Sequence, residues 1–85
     1  SGDAPRPTLT GMSVLMWEVR AADGRLDELV AHVCAHTDPA AQIFRADDGD
    51  PRVVVIDPSG TGVAHVRPEL VARPAYEWWF DPVAR

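Results

Sequence analysis

Two histidines, His32 and His36, lie four positions apart in the sequence. Side chains at this spacing share one face of a helix, where two imidazoles could hold a metal ion. Val33 stands where an HExxH metalloprotease motif has its Glu, and no other part of the sequence nominates the third ligand that a metal site needs. We therefore predict no metal and interpret the pair as a polar helix flank, with His36 near a C-terminus that favours positive charge.

Cys34 is the only cysteine in the 85 residues. A single thiol excludes a disulfide framework and a cysteine-based zinc cage, and it fits a reducing cytoplasm. No cation or base is fixed beside this thiol by the sequence, so we expect Cys34 to be a small buried hydrophobic residue and not a nucleophile.

The charge balance narrows the range of partners. Thirteen acidic residues oppose eight arginines and no lysine, for a net charge of −5. A chain without a basic patch is poorly suited to nucleic acid or to anionic membranes. No apolar run approaches ~20 residues, and the N-terminal residues lack the pattern of a secretory signal. We expect a flexible tail over residues 1–11 and a single cytoplasmic domain over residues 12–85.

A hairpin organises the predicted fold. Residues 41–46 and 52–57 read as strands, and Asp48-Gly49 between them is a strong turn signal. A two-residue loop would set Phe44 opposite Val53, but it would also bring two arginines face to face. Either the neighbouring aspartates offset that repulsion or the loop is one residue longer, so the register stays open. The aspartates suit turn chemistry better than calcium, because the distal Glu of an EF-hand loop is missing.

The first strand and the first helix are predicted from the spacing of their apolar residues. Residues 12–20 alternate, with Leu15, Trp17 and Val19 on one face. After a turn, Asp23 or Gly24 is the expected N-cap of a helix that ends at Asp38-Pro39. The apolar stripe of that helix is Leu26, Leu29, Val30, Val33 and Thr37.

The C-terminal third combines a helix signal with a segment that fits two kinds of secondary structure. Residues 67–72 predict a second helix that begins near Pro68 and is interrupted by Pro74. Residues 75–80 contain four of the six aromatic side chains, and their spacing fits both a helix and a strand.

The element order β-α-β-β-α, with an optional short last strand, predicts an α+β fold of the ferredoxin-like type. Such a fold has one antiparallel sheet with helices on one face. Both faces of strand 52–57 are apolar, and the helices can cover only one of them. We therefore predict a homodimer joined sheet to sheet.

Four stretches carry a resemblance to a known family. Residues 17–29 resemble its strand, turn and helix start, residues 41–47 its second strand, residues 52–57 its third, and residues 68–76 its second helix. On these motifs the chain resembles a short, divergent member of the dimeric α+β barrel superfamily, nearest to the antibiotic-biosynthesis-monooxygenase-like domains. The sequence leaves little or no room for the family's fourth strand. Asp57-Pro58-Ser59 stands where the haem-degrading branch has a Trp, so neither haem nor any other cofactor is implied.

The resemblance leaves two classes of function open. In the first, the dimer binds, oxidises or isomerises an apolar or aromatic small molecule in a cavity between the sheet and the second helix. Its candidate wall residues are Trp17, Phe44, Trp78 and Trp79, with His65 and Tyr76 as candidate catalytic groups. In the second class, the dimer is a non-catalytic structural or accessory module, His65 is a solvated loop residue, and the aromatic side chains join the subunits. The lack of a convergent acid, base and nucleophile favours the second class.

Overall fold

The computed structural model describes residues 13–84, so the tail expected at residues 1–11 lies outside the described residues. The elements are β1 (Val14–Arg20), α1 (Leu26–Ala35), β2 (Gln42–Ala46), β3 (Arg52–Asp57), a 3₁₀ turn (Pro68–Leu70) and β4 (Tyr76–Phe80). In this part of the chain the strands form one antiparallel sheet in the order β2-β3-β1-β4. The predicted α+β class is confirmed, and the strand order is compatible with a ferredoxin-like fold.

Side-chain alternation along the strands gives the sheet one buried face. Trp17 and Val19 of β1 and Val55 of β3 are at most 2% exposed on this side. Leu29 of α1 and Leu70 of the 3₁₀ turn are fully buried in the same cluster. Helix and 3₁₀ turn therefore cover the same face, as the predicted apolar stripe of the helix requires.

The opposite side of the sheet, here called the open face, has no helix over it among residues 13–84. Cross-strand pairing places the following side chains on the open face: Val14, Met16, Glu18 and Arg20 of β1; Gln42, Phe44 and Ala46 of β2; Arg52, Val54 and Ile56 of β3; and Tyr76, Trp78 and Phe80 of β4.

The hairpin between β2 and β3 adopts the longer of the two loops considered. Ala46 pairs with Arg52 and Arg45 pairs with Val53, so the two arginines do not face each other. Gly49 lies in the turn with a φ of 63°, a left-handed conformation that glycine adopts without steric cost. The additional loop residue therefore removes the unfavourable charge pairing of the shorter loop.

The start of α1 differs from the prediction. Arg25, and not Asp23 or Gly24, is the N-cap residue, and no side chain caps the helix. The reason is a tight turn before the helix, in which the Arg25 N–H donates to the carbonyl of Ala22 over 3.0 Å. The first helical hydrogen bond then runs from Leu29 N–H to the Arg25 carbonyl.

The predicted second helix is wrong beyond its first turn. Only residues 68–70 are helical, in a 3₁₀ turn, and Val71 returns to an extended conformation. The backbone of this segment pairs with the end of β1: Ala72 N–H donates to the Arg20 carbonyl over 2.8 Å. The backbone groups of this segment already form hydrogen bonds with β1. A helix that continued through Pro74 would therefore add little stabilisation from its own backbone hydrogen bonds.

The aromatic segment near the C-terminus is a strand. Tyr76–Phe80 pairs antiparallel with β1, from Val14 opposite Phe80 to Glu18 opposite Tyr76. The expectation of little or no room for a fourth strand is therefore wrong. Since β3 occupies only one edge of β1, the second edge was free to accept the segment.

Candidate functional site

The structure divides the six predicted site residues among three places. Trp17 is buried in the core, and Trp79 lies opposite Leu15 on the same face of the sheet. Phe44, Tyr76 and Trp78 belong to the open face, with Phe44 on the β2 edge and the other two on the β4 edge. His65 lies in the loop between β3 and the 3₁₀ turn. Within residues 13–84, these side chains do not line one common cavity.

Large aromatic side chains remain accessible on the open face. Phe44, Tyr76 and Phe80 are each 50% exposed, and Trp78 is 41% exposed. Tyr76 and Trp78 lie side by side on β4, with ring centroids 5.7 Å apart. Such a concentration of exposed aromatic surface on one face is typical of an interaction surface.

The aliphatic side chains of the open face lie between its aromatic edges. Val54 of β3 pairs with Phe44 on one side, and Ile56 pairs with Met16 of β1. Met16 in turn pairs with Trp78 of β4. These middle side chains are only half-buried, so an apolar surface runs across all four strands.

The charges of the open face are paired within the chain. Arg52 Nε lies 3.6 Å from a carboxylate oxygen of Glu18, and Arg20 Nη2 lies 3.4 Å from Asp50. Both pairs involve the end of the sheet next to the hairpin turn. Glu18 nevertheless lies within the apolar surface, between Val54 of β3 and Tyr76 of β4.

A second candidate site lies on the other side of the sheet. It is a cleft of about 380 Å³, lined by Trp17 and Val19 of β1 and by side chains of residues 66–75. Every lining side chain is apolar except Arg73. This volume falls within the range of small-molecule sites, and mostly apolar walls with one polar group are typical of them. Neither His65 nor Tyr76 belongs to the lining.

Arg73 has an unusual environment in this cleft. Its Nη1 atom is buried and has no hydrogen-bond partner among the described residues. Its guanidinium carbon lies 4.0 Å from the centroid of the Tyr76 ring, a cation–π contact. Sequence reasoning missed Arg73 because nothing in its neighbours shows that it borders a cleft.

The three histidines come together at the C-terminal end of α1. His32 and His36 stack with ring centroids 4.0 Å apart, and the His65 ring is nearly perpendicular to the His36 ring, with 6.2 Å between their centroids. His32 Nε2 donates to the Ala64 carbonyl over 2.9 Å, and His36 Nδ1 donates to the His32 carbonyl over 2.8 Å, because a carbonyl can only accept. His65 is exposed and has a φ of 57°.

The histidine cluster does not form a metal centre in the described residues. No group of three or more His, Cys, Asp or Glu side chains there has an arrangement that could hold an ion.

The expectation that Cys34 is buried is wrong, because its side chain is exposed on α1. The helix buries Leu29 and Val33 instead, and the edge of that stripe faces solvent.

Comparison with known proteins gave no match to any family model, curated protein or solved structure. The resemblance to monooxygenase-like domains thus remains a prediction. Within residues 13–84, no helix has both the length and the apolar character needed to cross a membrane.

Proposed function

We propose that the chain is a homodimeric binding or accessory module in which two copies pack their open faces together, in the manner of a dimeric α+β barrel. The observation that supports this proposal is the exposure of Phe44, Tyr76, Trp78 and Phe80, each between 41% and 50%, on a single sheet face. Burial of this surface by a second copy would remove it from water.

The area of the open face suits an interface of ordinary size. A fully buried aromatic side chain removes roughly 150–250 Å² from water, so four half-exposed ones offer about 400 Å². The half-buried Val54, Ile56 and Met16 add to this area. A stable interface buries about 800 Å² on each partner, and the aromatic side chains alone supply about half of it.

The electrostatics of the open face also permit sheet-to-sheet packing. Glu18 is already paired with Arg52, and Arg20 with Asp50. A second copy would therefore not bury Glu18, Arg20 or Arg52 without a partner of opposite charge, which would be strongly unfavourable. Because a two-fold axis uses the same surface on both copies, the dimer closes without leaving a second apolar surface exposed.

The placement of the predicted catalytic residues favours binding over catalysis. His65 lies in a loop, where its ring contacts that of His36. Tyr76 lies on the β4 edge of the sheet, where its ring contacts the Arg73 guanidinium. An acid–base pair must converge on one bound molecule, and these two side chains border different parts of the fold. We therefore propose oxidation of an aromatic molecule only as a second function. A reducing cytoplasm remains the proposed location, because the one cysteine is an exposed thiol.

Size-exclusion chromatography with light scattering tests the dimer at micromolar concentration. We expect twice the chain mass of 9.3 kDa for the unmodified protein. Val54→Asp places a charge in the centre of the open face and should give a folded monomer, because Val54 is not part of the buried core. Ala31→Asp, on the exposed side of α1, is the matched control and should remain a dimer. A monomer for the unmodified protein, or a dimer for Val54→Asp, would refute the proposal.

A further inference from the structure

Arg73 differs from the other arginines of the described residues in having no acidic partner. Of the six arginines between residues 13 and 84, Arg20, Arg25, Arg45, Arg52 and Arg67 each form an ion pair. Arg73 pairs with no carboxylate in that part of the chain, and its Nη1 atom is buried without a hydrogen-bond partner. A buried donor of this kind is unfavourable, and its presence in a fold calls for an explanation.

The guanidinium of Arg73 is nevertheless held in place. Its central carbon lies 4.0 Å from the centre of the Tyr76 ring, and Tyr76 is part of β4. A cation–π contact uses the charge of the guanidinium and not its N–H groups, which can still donate hydrogen bonds to another partner. Arg73 therefore combines a fixed orientation with unused hydrogen-bond donors.

The surroundings of Arg73 define the rest of a binding site. The cleft of about 380 Å³ that it borders is otherwise lined by apolar side chains, including Trp17 and Val19 from the sheet. The volume equals that of about a dozen water molecules in the liquid. An apolar cleft with one cationic group matches a ligand with an apolar body and one anionic group.

We propose that this cleft binds a small carboxylic acid with an aromatic or branched apolar body. The carboxylate accepts hydrogen bonds from the Arg73 guanidinium, and the apolar body packs against the partly exposed side chains of Val66, Val71 and Ala75. A carboxylate fits because its two oxygens match two parallel guanidinium N–H groups. The chain has a net charge of −5, so the local charge of Arg73, and not the overall field, attracts the anion.

This inference does not require the proposed dimer, although Tyr76, which contacts the Arg73 guanidinium, also belongs to the open face. The cleft lies on the side of the sheet that carries Trp17 and Val19, whereas the dimer uses the open face. The two proposals can therefore fail separately. A monomeric protein that binds the acid would refute only the dimer, and a dimer that does not bind it would refute only the ligand site.

Isothermal titration calorimetry with 4-phenylbutyrate and its neutral amide, 4-phenylbutanamide, tests the site on the full chain. We expect the acid to bind at least ten-fold more tightly than the amide, with a preference that weakens as salt is raised. Arg73→Gln should remove that preference. Arg67→Gln is the matched control, because Arg67 is exposed and already paired with Glu69, and it should bind like the unmodified protein.

Three results would overturn the proposal: equal affinity for acid and amide, undiminished preference for the acid in Arg73→Gln, or no binding of either probe at millimolar concentration. Circular dichroism establishes that Arg73→Gln is folded. Should it not fold, Arg73→Lys decides the question, because lysine keeps the charge but not the planar pair of donors. We then expect the acid to bind Arg73→Lys several-fold more weakly than the unmodified protein, and unchanged affinity would contradict a guanidinium–carboxylate contact.

Discussion

The buried carboxylate of Asp57 accepts the backbone N–H of Gly62, with 2.8 Å between Oδ2 and the nitrogen. Its other oxygen accepts the Ser59 N–H and hydroxyl, at 2.9 and 2.6 Å. The residue is 0% exposed. Burial alone raises the pKa of this carboxyl, but the hydrogen bonds from Ser59, Gly62 and Gly60 together outweigh it and hold the pKa below its ordinary value. One side chain thus closes the loop that follows β3.

We expect Asp57→Asn to lower the free energy of unfolding by about 1–3 kcal/mol at neutral pH, because an amide offers one acceptor atom where the carboxylate offers two and leaves a buried N–H unpaired. Urea unfolding followed by circular dichroism measures the change. Asp48→Asn is the matched control, since Asp48 is exposed in the hairpin turn. Equal stability of Asp57→Asn and the unmodified protein would show that the loop does not depend on this carboxylate.

The stability difference between Asp57→Asn and the unmodified protein should depend on pH. The pKa of Asp57 is lower in the folded state than the ordinary value of 3.8. Its stabilising contribution is therefore fully present above pH 3.8 and is lost as the pH falls through the lower folded pKa. We expect the difference to be constant from about pH 7 to 5 and to narrow below about pH 4. A difference that widens on acidification would contradict the assigned direction.

Leu29 anchors α1 to the sheet, and its side chain is fully buried. We expect Leu29→Ala to lower the free energy of unfolding by about 2–5 kcal/mol, from lost apolar contact and the cavity that remains. The loss is a large part of the stability of a small domain, so the thermal midpoint should drop sharply. Val30→Ala is a suitable control, because Val30 is only half-buried and should cost less. Calorimetry of both variants makes the comparison, and a larger loss for Val30→Ala would contradict the packing.

Trp78 should report dimer formation through its fluorescence. Its side chain is 41% exposed on the open face, whereas Trp17 is 2% exposed in the core. Dilution that dissociates the dimer should therefore shift the emission to longer wavelength as Trp78 becomes hydrated. Trp78→Phe keeps an aromatic ring in place and should abolish the shift. A shift that persists in Trp78→Phe would mean that another tryptophan changes environment.

We expect the histidine cluster to bind Zn²⁺ no more tightly than an isolated histidine does. A metal ion lies near the plane of each imidazole that ligates it, but the His32 and His36 rings stack within 15° of parallel, with centroids 4.0 Å apart. One ion cannot lie in both planes unless a ring turns and gives up a hydrogen bond to a backbone carbonyl. Calorimetric titration with zinc chloride measures this, with His65→Asn as the control. Micromolar affinity that is lost in His65→Asn would contradict the prediction.

Some parts of the fold follow from local patterns in the chain. Alternation in β1 correctly assigns Leu15, Trp17 and Val19 to one apolar face, because successive strand side chains point in opposite directions. In β3 both faces are apolar, so only the structure shows that Val55 is buried and Val54 lies on the open face. The spacing of Leu29 and Val33 places one side of α1 in the core for a similar reason. The Asp-Gly signal places the hairpin, although it cannot choose between loops of similar cost.

Asp57 could have been found from the sequence. An Asp at the end of a strand, followed by Pro-Ser-Gly, is typical of a side chain that accepts N–H groups from the residues after it. Its complete burial does not follow from that pattern, because it depends on how the loop folds over the end of β3.

Long-range contacts determined the features that local patterns left open. The aromatic segment fits two periods, and it is a strand because β1 had a free edge to pair with it. The second helix stops after Leu70 because Val71 bridges Ala21 and the next N–H donates to Arg20. The exposure of Cys34 and the position of Arg73 beside the cleft likewise depend on residues distant in sequence. A sequence encodes which groups need partners, but packing of the whole chain selects those partners, because backbone pairing and burial are satisfied across the fold.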